Sequence, residues 1–207
     1  MVKSKIRKGY RLTKFIIYKE TLIDHKEHFW SFLGSFVGLA LIALFHSGII
    51  LESDYVFLIG SFGASSVLVY GAIQSPLSQP RNLIGGHIIS AIIGVSICKL
   101  LPEMIWIAAP LSVSLSIVAM QATKTLHPPG GATALAAVIA SEKIKSLGYL
   151  YILAPVLSGA LILLLVALIF NNITSQRKYP TNGRFSKTLK WAMAPTKKIF
   201  ISFKARK

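Results

Sequence analysis

Apolar and polar positions alternate along this chain in blocks of about twenty residues, the length of a helix that crosses a bilayer. Long runs of Leu, Ile, Val, Ala and Phe are separated by short breaks that carry charged residues, asparagines or prolines. These runs predict an all-α membrane protein with about six transmembrane segments, at residues 29–51, 55–73, 83–101, 104–122, 126–140 and 148–170. We expect a basic N-terminal segment (1–28), a transmembrane domain (29–172) and a basic C-terminal tail (173–207).

The fifth segment is short and contains the sequence LHPPGGATAL at residues 126–135. Pro128 and Pro129 lack N–H donors, and each disfavours a helical conformation in the residue before it. The run ATALAAVIA after the two glycines favours a helix. We therefore expect an extended approach and a half helix that begins between Gly130 and Thr133. In hydrocarbon, such a break is tolerated only inside protein or along a wet cavity.

A shift of 68 residues aligns the Gly-rich second segment with the fifth. It brings Gly63 onto Gly131 and Ser65 onto Thr133. Each half of the chain then reads as a regular segment, an irregular one and another regular one. Three crossings in each half would make two inverted repeats, an arrangement that many transporters use. The alternative is four transmembrane helices with the second and fifth segments re-entrant.

The positive charge of the chain lies at its two ends. Of 23 Lys and Arg residues, eight fall within residues 3–26 and ten within 177–207, and the net charge is +16. Basic ends around an apolar middle follow the positive-inside rule, so we expect both termini to be cytoplasmic. The mixed basic and apolar run at 187–207 is suited to anionic lipids. No nucleic-acid-binding module is recognisable, and the N-terminus has no apolar run typical of a signal peptide.

Enzyme and metal chemistry find little support in the sequence. The single cysteine, Cys98, excludes an intramolecular disulfide and a cysteine-based zinc site. Paired carboxylates, HExxH, GxSxG and Walker motifs are missing from the apolar segments. We therefore expect no catalytic residue, no bound metal and no cofactor.

Helix starts inside a membrane can bind anions. A helix N-terminus presents unpaired N–H groups and about half a positive charge. We expect one start near Gly63 and one near Gly131, facing each other, with glycines that let an ion approach the backbone. The hydroxyl groups of Ser65, Ser66 and Thr133 would add donors. The alternative interpretation is close helix packing through small residues.

Histidines are the ionisable residues of interest within the apolar segments. His127 precedes the break and could meet an anion or carry a proton with it, or merely fix the turn. His87 is a second candidate, at the start of the third segment. His46 is expected at a membrane interface. Arg81 and Lys124 could attract anions toward the cytoplasmic mouth.

Several blocks of the sequence resemble the HPP family of integral membrane proteins, named for a tripeptide found here at residues 127–129. They are GSFGASSVLVYGA (60–72), SPLSQPRNLIGGHIISA (75–91), TKTLHPPGGATAL (123–135) and RKYP (177–180). The resemblance implies a multi-pass protein, usually described with four transmembrane helices. It also implies nitrite transport, which is associated with some members, whereas the regulatory CBS domain of others has no counterpart in this chain.

From the residues and the resemblance together we predict a channel or transporter for a small monovalent anion, most of all nitrite, in a bacterial inner membrane. The alternative is a non-transporting membrane sensor or scaffold protein. Expected partners are the anion and anionic lipids at the basic termini, and a homo-oligomer is compatible with the sequence. The predicted binding residues are Gly60, Ser61, Phe62, Gly63, Ser65, Ser66, Arg81, Asn82, His87, His127, Pro128, Pro129, Gly130, Gly131 and Thr133, with Gln79 beside Arg81.

Overall fold

The structure, a computed structural model, describes residues 25–47, 60–174 and 176–181. These ranges are helical and contain no β-strand. The helices are α1 (His25–His46), α2 (residues 60–71), α3 (Pro80–Leu100), α4 (Ile105–Ala122), α5 (Pro129–Ile139), α6 (Glu142–Ser146) and α7 (Ile152–Phe170). The last turn of α2 (Val67–Gly71) and the start of α7 (Ile152–Leu157) are π-helical, and Pro76–Ser78 forms a 3-10 turn before α3.

Four of the described helices, α1, α3, α4 and α7, are long and apolar enough to cross a membrane. Their outer faces carry large apolar side chains, with Phe32 64% exposed and Trp106 73% exposed. Such surfaces suit hydrocarbon rather than water. The structure thus confirms an all-α protein with apolar spans, and the fifth predicted segment is a short helix of 11 residues.

Several predicted boundaries shift in the structure. The first and third helices start at His25 and Pro80, four and three residues earlier than expected. Pro80 occupies the first turn of α3, where its missing N–H costs no helical hydrogen bond. The expected charged loop at 141–146 is instead mostly the short helix α6. The predicted end of the first segment (48–51), the break at 52–54, the start of the second segment (55–59), residues 1–24 and the tail from residue 182 lie outside the described residues.

The helices α3, α4 and α5 pack through glycines. A Cβ added at Gly94 would lie 2.5 Å from Ala134 O, and one at Gly86 would lie 2.5 Å from His127 Cβ. These distances are below any van der Waals contact, so the backbones approach too closely for a larger residue. Close packing through small residues, the alternative that the sequence left open, is therefore realised in this part of the fold.

The chain around the fifth segment, between residues 123 and 149, runs along α3. Arg81, in the first turn of α3, donates to Thr123 O at 2.8 Å. Near the far end, the hydroxyl groups of Ser96 and Tyr149 lie 3.0 Å apart. Arg81 and Ser96 are separated by fifteen residues, which is about 22 Å along a helix. The chain between residues 123 and 149 therefore extends along most of the length of α3.

A segment after α7, residues 177–180, packs against the end of the domain where α1 begins. The buried guanidinium of Arg177 donates to Tyr70 O and Asn171 Oδ1, each at 2.8 Å, and contacts Glu27 Oε2 at 3.0 Å. Burial lowers the pKa of Arg177, and the charge of Glu27 opposes that shift. The Tyr179 hydroxyl donates to Ser78 O at 2.7 Å. Residues 177–180, which the sequence assigned to the C-terminal tail, thus pack against the helices of the predicted transmembrane domain.

Candidate functional site

Five polar side chains from four parts of the chain meet in one buried cluster. We call it the histidine–hydroxyl cluster, and each member is at most 2% exposed. The Ser65 hydroxyl lies 2.9 Å from the Nε2 atoms of both His87 and His127. Thr133 Oγ1 lies 2.7 Å from His87 Nδ1 and 2.7 Å from Ser61 Oγ. The members are therefore Ser61, Ser65, His87, His127 and Thr133, joined in one chain of hydrogen bonds.

Regular helical spacing brings the cluster together. Ser61 and Ser65 are four residues apart on α2, so both project from the same face. His87 lies seven residues into α3, about 10 Å from its start. Thr133 lies one turn after the first residue of α5. The cluster thus lies within the helical layer, where buried polar groups are costly unless they are hydrogen-bonded.

The turn that follows α4 positions His127 in the cluster. After α4, Thr125 N donates to Met120 O at 2.8 Å, Lys124 N donates to Gln121 O at 3.1 Å, and Lys124 has a φ of 56°. This is the Schellman arrangement, which ends a helix sharply. Leu126 O then accepts from Asn82 Nδ2 at 2.7 Å. The ring of His127, the next residue, is held by a contact of 2.8 Å between its Nδ1 atom and Leu77 O.

The surroundings of the cluster are aromatic and uncharged. The ring of Phe62 lies 5.1 Å from that of His87, and the two histidine rings are 5.0 Å apart between centroids. The Tyr151 hydroxyl donates to Thr133 O at 3.1 Å. The hydrogen bonds of both histidine rings go to hydroxyl and carbonyl groups rather than to charged side chains. The cluster can offer hydroxyl and imidazole donors to a solute, and it can hold a proton.

The prediction that a helix begins near Gly63 is wrong. Residue 60 is already helical, so Gly63 lies inside α2. The start of α5 is at Pro129, one residue before the expected range, and Pro128 already has helical angles (φ −52°, ψ −38°). Gly130 N donates to His127 O at 2.8 Å, and Gly131 N donates to Pro128 O at 3.0 Å. Because these two N–H groups are paired within the chain, the expected pair of free helix tips is not formed.

The predicted glycines fall into two groups. A Cβ added at Gly130 would lie 2.7 Å from Ser90 Oγ and 3.0 Å from Met120 Sδ, so Gly130 serves helix packing. A Cβ at Gly131 would meet only Val113, at 3.6 Å. Gly60 and Gly63 have no described atom within 4 Å of an added Cβ. The Pro129 carbonyl oxygen lies 3.0 Å from the Ser61 hydroxyl oxygen of the cluster, whereas Pro128 is exposed.

The polar block at the start of α3 supports the loops instead of joining the cluster. Arg81 is exposed and bonded to Thr123 O, and Asn82 holds Leu126 O. Gln79 donates to Ile73 O at 3.0 Å and accepts from Thr181 N at 2.9 Å. Ser66 is buried, and its hydroxyl has no hydrogen-bond partner among the described residues. Of the predicted polar side chains, only those of the cluster are joined to one another.

Some roles were missed at the sequence level. His46, at the end of α1, is fully buried, with Nε2 2.9 Å from Ser158 Oγ, a contact that the sequence did not indicate. Tyr151 supports the cluster through Thr133 O, and its place at the start of a long apolar run gave no sign of this. Arg177 follows a membrane span, where a basic residue ordinarily indicates topology, so its buried ion pair was not foreseen. The RKYP block was its only available signal.

Comparison with known proteins agrees with these features. The family model described as HPP, transmembrane region, matches residues 20–180. Two curated proteins of Dictyostelium discoideum, each named only as a transmembrane protein, are 49% and 48% identical to this chain over 160 residues. The aligned part is 76% of this chain but 51% and 56% of those proteins, so the chain spans about half the length of the curated relatives it matches. No solved structure matches the chain.

Proposed function

Because this chain belongs to the HPP transmembrane family, we propose that it conducts a small monovalent anion, nitrite before others, through the histidine–hydroxyl cluster. The observation that supports this proposal is the burial of five polar side chains together within a layer of apolar helices. Polar groups at such depth are costly, and in membrane proteins they mark solute or proton pathways. A purely structural core could be filled by apolar residues at no such cost.

The chemistry of the cluster favours an anion over a cation. Hydroxyl groups and imidazole N–H groups donate hydrogen bonds, and the cluster contains no carboxylate to hold a cation. Ser66, directly after Ser65, has a buried hydroxyl that bonds to none of the described residues, and we propose that it adds a donor for the anion. Arg81 lies at the start of α3 and Lys124 in the turn after α4, close to His127. Both add positive charge near one mouth of the proposed pathway. Nitrite is small, monovalent and the base of a weak acid, which suits a site that pairs donors with a proton carrier.

We further propose six crossings as two inverted repeats. The passage of residues 123–149 along α3 supports a crossing by the fifth segment rather than a re-entrant loop. Ser61 bonds to Pro129, the residue that the 68-residue shift sets opposite it. Residues near a pseudo-twofold axis contact their own equivalents, so this bond supports the repeat. An even number of crossings also leaves both termini on one side, which the basic ends make the cytoplasmic side.

The partners and location follow from the same charges. We propose that the basic termini bind anionic lipids of the cytoplasmic leaflet, and that copies of this chain can form a homo-oligomer. The prediction of a bacterial inner membrane draws no support from the relatives, which come from Dictyostelium discoideum. Fractionation of source cells with an antibody to this chain tests the location.

The test of function is uptake by proteoliposomes. Isotopically labelled nitrite, nitrate, formate and chloride are offered one at a time, well above the pKa of nitrous acid, and the uptake by protein-free liposomes is subtracted. Thr133→Val removes a cluster hydroxyl at constant size, and we expect nitrite flux to fall about tenfold, the equivalent of one lost hydrogen bond. Thr123→Val, in the exposed turn, is the matched control and should keep its flux. Equal flux from protein-containing and protein-free liposomes for every anion would refute the proposal.

A second candidate, a non-transporting sensor or scaffold, draws on a different observation. The cluster is closed, and the glycines beside it serve close packing. This candidate predicts no flux, together with unchanged stability of the folded protein when nitrite is added. The transport proposal predicts that nitrite raises the unfolding temperature of the purified protein, since a ligand stabilises the state that binds it.

A further inference from the structure

The direction of each hydrogen bond in the cluster follows from counting donors. Leu77 O can only accept, so His127 Nδ1, 2.8 Å away, carries a hydrogen. In a neutral ring the other nitrogen, Nε2, is then an acceptor. The group at 2.9 Å from it is the Ser65 hydroxyl, which must be the donor. Ser65 Oγ also lies 3.1 Å from the Ser61 carbonyl oxygen within α2, but that carbonyl is the more distant acceptor, whereas His127 Nε2 has no other donor. The single hydrogen of Ser65 is therefore assigned to His127.

The same counting fixes the rest of the cluster. Since the hydrogen of Ser65 is used, His87 Nε2 must donate to Ser65, which makes His87 Nδ1 an acceptor. Thr133 then donates to His87 Nδ1, and Ser61 donates to Thr133. The neutral cluster is thus a single chain of bonds in one direction, with opposite tautomers on the two histidines.

One additional proton fits this chain. In the neutral arrangement, the contact of 3.0 Å between Ser61 Oγ and Pro129 O has no hydrogen to fill it. If either ring gains a proton, His87 Nδ1 donates to Thr133, Thr133 donates to Ser61, and Ser61 donates to Pro129 O. The extra proton therefore allows a hydrogen bond from Ser61 to Pro129 O. Each contact of the two histidine rings still contains one hydrogen.

We infer that His87, Ser65 and His127 share one exchangeable proton, which passes between the two rings through the Ser65 hydroxyl. The N–H bond at His87 Nε2 breaks as a new O–H bond forms at Ser65. The former O–H bond of Ser65 breaks as an N–H bond forms at His127 Nε2. The two states therefore differ in the position of the charge and in the direction of the two Ser65 hydrogen bonds, and every other contact in the cluster keeps its direction.

The cluster holds one such proton at a time. Two charged rings 5.0 Å apart would repel, with no carboxylate bonded to either. The groups that face the pair are the hydroxyls of Ser65 and Thr133, the Leu77 carbonyl and the Phe62 ring, and the Tyr151 hydroxyl bonds to the Thr133 carbonyl beside them. The role of this proton in transport rests on the proposed function: one proton that moves with one nitrite makes the net movement electroneutral.

Solid-state NMR with ¹⁵N-labelled histidine, on the full chain in lipid, tests the shared proton without any transport. The neutral protein should show His127 protonated at Nδ1 and His87 at Nε2, each assigned by its loss in a His→Gln variant. Ser65→Ala should remove the preference of His87 for Nε2, and Ser65→Thr should retain it. Ser116→Ala is the control, because Ser116 is buried but bonds only within its own helix, to Val113 O. Identical tautomers on both rings, or no change in Ser65→Ala, would overturn the inference.

Flux measurements test the coupling separately. An internal pH dye and labelled nitrite should report equal proton and nitrite entry, unaffected by a potassium diffusion potential. Ser65→Ala should lower the pH-driven uptake about 100-fold, at the lower end of what a lost proton-transfer group costs, and Ser65→Thr should recover most of it. Nitrite uptake that follows the potential in the wild type would refute the coupling and leave the proposed function standing. The expected tautomers without any flux would refute the proposed function and leave the shared proton standing.

Discussion

Gly130 and Gly131 are neighbours in the first turn of α5, yet only one of them is confined by its surroundings. The position of a Cβ at Gly130 is occupied by Ser90, Met120 and the Gly86 carbonyl, whereas at Gly131 there is room. Neither has a positive φ, so packing rather than backbone conformation decides what each position tolerates. At the scale of single residues, the double glycine therefore has one structural requirement and not two.

Gly130→Ala should destabilise the folded protein by about 1–3 kcal/mol, the usual cost of forcing an extra group into a packed core. Gly131→Ala should be neutral or slightly stabilising, because Ala favours a helix and its Cβ meets only Val113 at 3.6 Å. Thermal unfolding of both variants in one detergent measures the difference. Equal unfolding temperatures would show that the contacts around Gly130 do not restrict it.

The residues predicted as a site separate in the structure according to their chemistry. The histidines and hydroxyls of segments two, three and five were identifiable because polar groups between apolar runs need partners. Arg81 and Asn82 were grouped with them by position alone, and they proved to bind the turn at 123–126. Which polar groups meet depends on the rotation of each helix about its axis, and that rotation is fixed by tertiary packing.

At the scale of elements, the segment 177–181 acts as a clasp between α1, α2 and the 3-10 turn. The central residue of this segment is Arg177. Its side chain is 1% exposed and bonded to four different residues. A helix-by-helix prediction from hydropathy could not include this segment, because it is polar and has no regular structure. Its partners lie up to 150 residues away.

Arg177→Gln should lower stability by about 3 kcal/mol, because removal of one partner leaves Glu27 and two backbone acceptors without their charged donor. The thermal unfolding temperature should fall by several degrees. Lys178→Gln, the exposed neighbour, should leave it unchanged. The double variant Glu27→Gln, Arg177→Gln should lose less than the sum of the two single variants, as expected for groups in contact. Strict additivity would contradict the ion pair.

At the scale of the whole molecule, the family, the helical class and the membrane character were all predictable from composition and motifs. Apolar spans and basic ends reflect the solvent around the protein, and these signals need no tertiary information. The helix boundaries followed to within a few residues. The helix starts in the second and fifth segments could not be predicted. Local sequence rules allow a helix that starts at Pro129 and a helix that contains Gly63 just as they allow the expected starts.

Six crossings predict that the turn after α4 and the helix α6 face opposite sides of the membrane. With Cys98, the only cysteine, replaced by Ser, single cysteines at Lys124 and at Lys143 should react with an impermeant maleimide from opposite sides. Both positions are exposed, so each should react readily. Oriented vesicles, with and without permeabilisation, provide the measurement. Labelling of both from the same side would instead support four crossings with a re-entrant fifth segment.

The clasp at Arg177 also has a consequence for biogenesis. Glu27 and Ser31 belong to α1, while their guanidinium partner is synthesised about 150 residues later. The early end of the domain therefore waits, incompletely bonded, until translation has passed α7. A nascent chain arrested before Arg177 would present this unfinished junction to chaperones and proteases, which gives the cell a means to recognise incomplete copies.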